Sequence, residues 1–246
     1  MGAYESSTNM AGNPELLTIL DAAIFASEKH QGQVRKNKGH SPYITHPLLV
    51  AQAIYQIGGI VNSRILTAAI LHDTLEDTMT DEKEIEARFG EKVLSIVLEL
   101  TDDKTVEKMS RKRLRVIHAS ELSYEAKIVK LADKLVNCRD ILNDPPEDWP
   151  LERRQNYIQW GADVVEQIRG TNSPLESAFD QVLSDAQAQL NFKIKPYDSV
   201  DQRAWGANTG DLTKGMWFFP GIYQKTTIIV LFISESTAKS PDCKGE

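Results

Sequence analysis

The chain has 246 residues, 41% hydrophobic and 26% charged, enough for one large globular domain or two small ones. Its net charge is −7, with the acidic excess in residues 1–190, which argues against a nucleic-acid partner that would need a broad basic footprint. The longest apolar run, TTIIVLFI at 226–233, is far short of the roughly 20 residues that span a bilayer, so no membrane partner is expected.

No secretory start precedes the body, and two cysteines, Cys138 and Cys243, make no disulfide framework; a reducing cytoplasmic setting is expected. The opening MGAYES fits the bare myristoylation pattern at Gly2 but has no polybasic neighbour to complete an anchor. Residues 1–14 read as a flexible polar arm. From there to Leu190 apolar residues recur at helical spacing. PELLTILDAAIFASEKH starts on Pro14 in a first turn, and Pro47 opens PLLVAQAIYQIGG, which Gly58 and Gly59 close. SRILTAAILHDTLEDT follows as one helix with Ser63 as its N-cap. TDEKEIEARFG has Asp81 and Glu84 at capping-box spacing and stops at Gly90. EKVLSIVLELTDD, the basic VEKMSRKRLRVIHAS and SYEAKIVKLADKLVNCRDIL come next. LERRQNYIQWGADVVEQIRG and SPLESAFDQVLSDAQAQL complete about nine helices, and without alternating strands the fold class is all-α. Residues 191–246 lose the helical period and read as an irregular C-terminal extension rather than a second domain.

The chemistry concentrates in AAILHDTLEDT, where a buried run meets His72, Asp73, Glu76 and Asp77 within six residues. Burying such groups is costly unless something neutralises them. On a continuous helix His72 and Glu76 share one face, and Asp73 and Asp77 the next. An adjacent His-Asp pair can reach one metal ion but cannot complete its shell. Further ligands are few: His46, just before a helix and flanked by Pro42 and Pro47, and Asp133, the odd acid in the apolar stripe of KLADKLVN. Taken singly, His46 also suits a helix start, and Asp133 also suits a pair with Lys130 or Lys134. His30, His40 and His118 sit among polar residues and are expected at the surface.

His46, the pair His72-Asp73 and then Asp133, in that order, resemble the metal set of the HD phosphohydrolase superfamily. QVRKNKGHSPYITHP, AAILHDTLEDT, ELTDDKT, RKRLRV and KIVKLADKLVNCRDI are similar to the hydrolase domain of RelA/SpoT-type alarmone enzymes. YIQWGADVV and RGTN match the stand-alone metazoan form of that domain, and the resemblance spans about residues 15–190. It implies an HD-domain helical bundle holding one Mn²⁺ on His46, His72, Asp73 and Asp133. It also implies Glu76 and Asp77 as the catalytic pair that holds water and moves protons. The implied reaction is hydrolysis of the 3′-pyrophosphate of ppGpp or pppGpp to GDP or GTP and pyrophosphate. Arg35 and Lys36 match nucleotide-contacting residues of the family, Lys108 and Arg153 fall at expected phosphate contacts, Asn137 suits the ribose, and Tyr157 suits either the base or a phosphate. The partner is thus a small-molecule nucleotide; the oligomeric state is left open. Two other readings keep the same scaffold: phosphate removal from another nucleotide such as NADPH, and a helical scaffold that binds without turnover.

Overall fold

Residues 13–197 are described by the computed structural model; Gly2, Cys243, the 226–233 run and the rest of both terminal segments lie outside the described residues. Ten α-helices carry the described fold: α1 Pro14–Lys29, α2 Thr45–Gln56, α3 Ser63–Leu71, α4 Thr74–Asp77, α5 Glu82–Phe89, α6 Glu91–Leu100, α7 Lys108–Ile117, α8 Tyr124–Asn143, α9 Leu151–Glu166 and α10 Ser173–Gln189. A 3-10 turn, His118–Glu121, links α7 to α8, and a single bridge between Val34 and Pro42 pins the loop between α1 and α2. The chain is all-α, as its periodicity indicates.

The helix expected from Ser63 through Thr78 breaks in the middle. α3 ends at Leu71 and a single turn, α4, resumes at Thr74, leaving His72 and Asp73 between them. Side chains take over the freed carbonyls: Thr74 Oγ1 donates to Leu71 O at 2.6 Å, and His72 Nδ1 lies 2.7 Å from Ala69 O. The two-faced stacking expected of a continuous helix therefore does not hold. The N-cap of α3 is also Asn62, not Ser63: its Oδ1 accepts from the backbone N–H groups of Arg64 and Ile65. α2 begins two residues before Pro47, which puts His46 inside its first turn. Asp81 caps α5 as expected, accepting from Glu84 N at 2.9 Å, while the Glu84 carboxylate pairs with Lys29 instead of closing the box.

Helices α3 and α8 form the centre. Every residue from Ile65 to Leu71 is buried, the signature of a helix enclosed on all sides. Around α8 pack α2, α3, α6, α9 and α10. The approach of α9 to α8 is close enough to require glycine: a Cβ at Gly161 would stand 2.7 Å from Cys138 Sγ. At the end of α2, Gly59 takes φ +67°, the left-handed conformation that glycine adopts without penalty. Gly58 O then accepts from Nδ2 of Asn172, the N-cap of α10, and so ties the two ends together. Beyond α10 the described chain continues without regular structure along α9, where Gln159 exchanges two hydrogen bonds with the backbone of Lys195.

Candidate metal centre and cavity

The break between α3 and α4 presents His72 and Asp73 to the first turn of α2 and the middle of α8. Across that junction His46 Nε2 lies 3.2 Å from Asp133 Oδ1 and 3.9 Å from Asp73 Oδ2. His72 Nε2 lies 3.2 Å from Asp73 Oδ2 and 3.8 Å from Asp133 Oδ1. One donor atom each from His46, His72 and Asp133 falls within 4.8 Å of the others, and all three residues are buried. All four residues named for a metal are thus brought together by three separate parts of the chain.

The donors fit a divalent cation on their own geometry. Ala69 O fixes the proton of His72 on Nδ1, so Nε2 faces the carboxylates with its lone pair and has no hydrogen-bond partner. Acceptors facing acceptors in a buried site repel unless a positive charge sits among them. The electrostatics agree. Burial opposes protonation of His72, yet Asp73 and Asp133 overcome it and raise its pKa to about 9. The carboxylates thus draw a positive charge to Nε2, either a proton or, in its place, a metal ion. Burial likewise opposes ionisation of the two acids. The His72 ring beside Asp73 and the Lys134 ammonium beside Asp133 still hold both below the usual carboxylate range. Two imidazoles with two carboxylates suit a borderline-to-hard divalent ion.

Residues around the donors orient them. Tyr43 Oη donates to Asp73 Oδ2 at 2.6 Å, and Lys134 Nζ, almost fully buried, donates to Asp133 Oδ2 at 2.7 Å. Asn137 Nδ2 donates to Asp133 Oδ1, leaving its Oδ1 to accept from Arg35. His30, expected at the surface, is buried instead: it caps α1 and stacks on Tyr43 with ring centroids 4.7 Å apart. His40 and His118 are exposed.

Glu76 and Asp77 stand on α4, a turn beyond the donors, and face different environments. Glu76 is enclosed: Arg115 Nη2 lies 3.1 Å from Oε2, Asp102 N donates to the same oxygen, and Arg115 also binds Asp102 at 2.6 Å. Burial raises the Glu76 pKa, and Arg115 only partly offsets it. Asp77 is exposed, pairs with Lys104 at 2.9 Å, and has its backbone carbonyl held by Gln33 Nε2.

These groups open into a cavity of about 750 Å³, whose wall includes His46, Asp73, Glu76, Asp77 and Asp133; His72 lies behind it. All six residues named from the sequence for substrate contacts, Arg35, Lys36, Lys108, Asn137, Arg153 and Tyr157, line the same space. Arg35 is tied to Asp140 at 2.6 Å, and Arg153 lies over the Trp149 ring at 4.2 Å. Sequence reasoning missed Tyr43, Asp102 and the aromatic wall of Trp149 and Trp160, placed Arg115 only in a basic run, and had Lys134 only as a pair for Asp133, which the structure contains. The available signal was position: Tyr43 lies three residues before His46, and Lys134 directly follows Asp133 on an otherwise apolar stripe.

A family model described as HD domain matches residues 22–158. The guanosine-3′,5′-bis(diphosphate) 3′-pyrophosphohydrolase MESH1 of Xenopus tropicalis is 53% identical over 167 residues, 68% of this chain and 93% of its own. The Homo sapiens protein of the same name is 48% identical over 164 residues, 67% of this chain and 92% of its own. A solved structure of a metazoan ortholog of SpoT that hydrolyses ppGpp is 39% identical, with a TM-score of 0.67, covering 68% of this chain and 94% of that one.

Proposed function

The chain belongs to the HD-domain family, alongside the metazoan SpoT homologues, and from that premise we propose that it is a guanosine-3′,5′-bis(diphosphate) 3′-pyrophosphohydrolase that uses one Mn²⁺. The observation that carries the proposal is the inward-facing Nε2 of His72, unpartnered among the described residues, beside two carboxylates and a second imidazole, just behind the wall of a cavity lined with cations. His46, His72, Asp73 and Asp133 would hold the ion. When bound, such a cation makes water acidic enough to attack at neutral pH and offsets phosphate charge.

The chain's own residues do the rest. In the net reaction water adds across the bond between O3′ and its phosphorus: the hydroxyl stays on the released pyrophosphate and the proton ends on O3′, giving GDP from ppGpp. Glu76 is placed to take a proton from the attacking water, because burial raises its affinity for one while Arg115 fixes its orientation. Asp77, exposed at the mouth, is placed to pass protons to solvent. Arg35 and Lys36 flank the nucleotide from the loop before α2, and Lys108 and Arg153 meet its phosphates from α7 and α9. Asn137 is in reach of the ribose, and Tyr157 offers its ring to the base. The same proposal places the catalytic unit in residues 15–190, between an arm at 1–14 and an extension at 191–246, in a reducing cytoplasm that keeps buried Cys138 a free thiol. No helix among the described residues is long and apolar enough to cross a membrane.

Purified protein incubated with Mn²⁺ and ppGpp should release pyrophosphate and GDP in equal amounts. Orthophosphate released from NADPH with no turnover of ppGpp would replace the substrate. Absence of turnover on both would leave a binding scaffold.

A further inference from the structure

Two adjacent acids follow α6 in the stretch ELTDDKT, and they turn opposite ways. Asp103 is exposed and closes a local turn, accepting from Thr105 N at 2.8 Å and from Thr105 Oγ1 at 2.6 Å. Asp102 turns inward to α7. Arg115 Nε donates to its Oδ1 at 2.6 Å, and Arg115 Nη2 lies 2.6 Å from its Oδ2. The same Nη2 reaches the two carboxylate oxygens of Glu76 at 3.1 and 3.3 Å. The backbone N–H of Asp102 also donates to Glu76 Oε2, at 3.3 Å.

Arg115 is therefore shared unequally. Its short two-point pair goes to Asp102, and Glu76 receives one nitrogen at longer range. Arg111 Nη1 stands 3.9 Å from Glu76 and 4.0 Å from Asp102, beyond hydrogen-bond reach of either. Glu76 and Arg115 line the cavity, whereas Asp102 stands behind them. Glu76 faces Arg111 and Arg115 on α7, Asp102 on the loop after α6, and Asp77 on its own turn. From α8, Asp133 faces Arg115, and Lys130 faces both Arg115 and Asp102. Burial strengthens the hold of Glu76 on a proton, Arg115 weakens it, and the Asp102 charge restores part of what Arg115 removes. Without that charge the guanidinium would be free to pair with Glu76 at two points. A bidentate pair of that kind is strong and directional, and it makes a carboxylate a weaker base.

We propose that Asp102 is a positioning residue for Glu76: it keeps the Arg115 fork to itself, so that Glu76 is oriented toward the cavity without being locked into a bidentate ion pair. The inference rests on Glu76 being the proton acceptor in the proposed hydrolysis. Asp102 touches neither substrate nor metal in this arrangement and acts through Arg115 and its own backbone N–H.

The test is Asp102→Asn in the full chain with Mn²⁺, which keeps the volume and the backbone N–H but removes the charge. On ppGpp its kcat should fall about tenfold, with KM and Mn²⁺ affinity within about twofold of wild type. The acid limb of kcat/KM should move about one pH unit lower, because Glu76 loses a like charge and gains more of Arg115. Asp102→Glu restores the charge and should return the limb toward its wild-type position. In a Glu76→Gln background Asp102→Asn should cost nothing further, whereas general damage to the fold would add to the loss. A wild-type kcat and pH profile in Asp102→Asn, or an equal loss with and without the Glu76 carboxylate, would overturn the assignment. A wild-type rate in Glu76→Gln would overturn the role of Glu76 itself. Infrared difference spectroscopy separates the two failures, since it needs no turnover. The carboxylic C=O band that disappears in Glu76→Gln should titrate about one pH unit lower in Asp102→Asn, and an unmoved midpoint would overturn the coupling.

Discussion

Two helices, α7 and α8, line the cavity and are held by different forces. Thirteen of the twenty residues of α8 are buried, and it delivers Asp133, Lys134 and Asn137 as part of the hydrophobic core. Only Val116 is buried on the ten residues of α7, which delivers Lys108, Lys112 and Arg115 from a polar surface. Its fastenings include the Trp160 indole N–H on Lys112 O and the Arg111 and Arg115 contacts to Asp102 and Glu76. The metal donor Asp133 thus sits on a wall fixed by close packing, where a shift of an ångström displaces core side chains. The cationic wall is held by a few hydrogen bonds and ion pairs, each worth about 1 kcal/mol or somewhat more. The contrast separates two tasks: geometry at the metal must be rigid, whereas a cationic wall needs charge in the right place.

The comparison predicts that damage to the α8 side is the more severe. Asp133→Asn keeps the volume but removes the charge shared with Lys134 and the two histidines. Mn²⁺ affinity measured by calorimetry should fall at least about 100-fold and hydrolysis should vanish. Wild-type metal affinity in this variant would remove Asp133 from the donor set and break the contrast. Glu76→Gln, on the single turn between the two walls, should bind Mn²⁺ normally and lose about 10²- to 10⁴-fold in kcat. A rate near wild type would end its role in proton transfer.

A third change sharpens the contrast on α9, the helix that joins both walls. Asp163 is 6% exposed, and its only side-chain hydrogen bond among the described residues is from Gln159 Nε2 at 2.9 Å. Burial without a cation raises its pKa to about 6. The folded state then holds the proton more tightly than the unfolded chain. Its contribution to stability is complete below about pH 4 and is lost as pH rises through about 6. Asp163→Asn should therefore stabilise the protein by about 1–3 kcal/mol at pH 7.5 and by almost nothing at pH 4, read from urea unfolding at both pH values. Equal effects at the two pH values would mean that the carboxyl does not titrate in this window. The smallest expected effect is on the fastening of α7. Trp160→Phe removes the donor to Lys112 O and should cost about 1 kcal/mol in urea unfolding, with KM raised a few-fold. A KM unchanged by this loss would show that α7 is held in place by its remaining contacts.

How much of this was legible in the chain depends on the range of the interaction. The helices from Pro14 to Gln189 were readable because apolar spacing, Pro14 and the stops at Gly59 and Gly90 act within a few residues. The break at His72-Asp73 was not. A run of good helix formers hides a turn that is stabilised by the side chains of His72 and Thr74. His30 looked solvated because its sequence neighbours are polar, yet its burial comes from Tyr43, thirteen residues on.

The sequence by itself determined the all-α class, since helical period is a local pattern, and a resemblance in the order of His46, His72-Asp73 and Asp133 named the candidate metal donors. Only the tertiary structure decided how the other charges are distributed among partners: Arg115 on Glu76 and Asp102, Arg35 on Asp140, and Lys112 left without a counter-charge among the described residues. Those pairings join residues from separate parts of the chain, and their energies depend on burial and distance, which no spacing along the chain encodes.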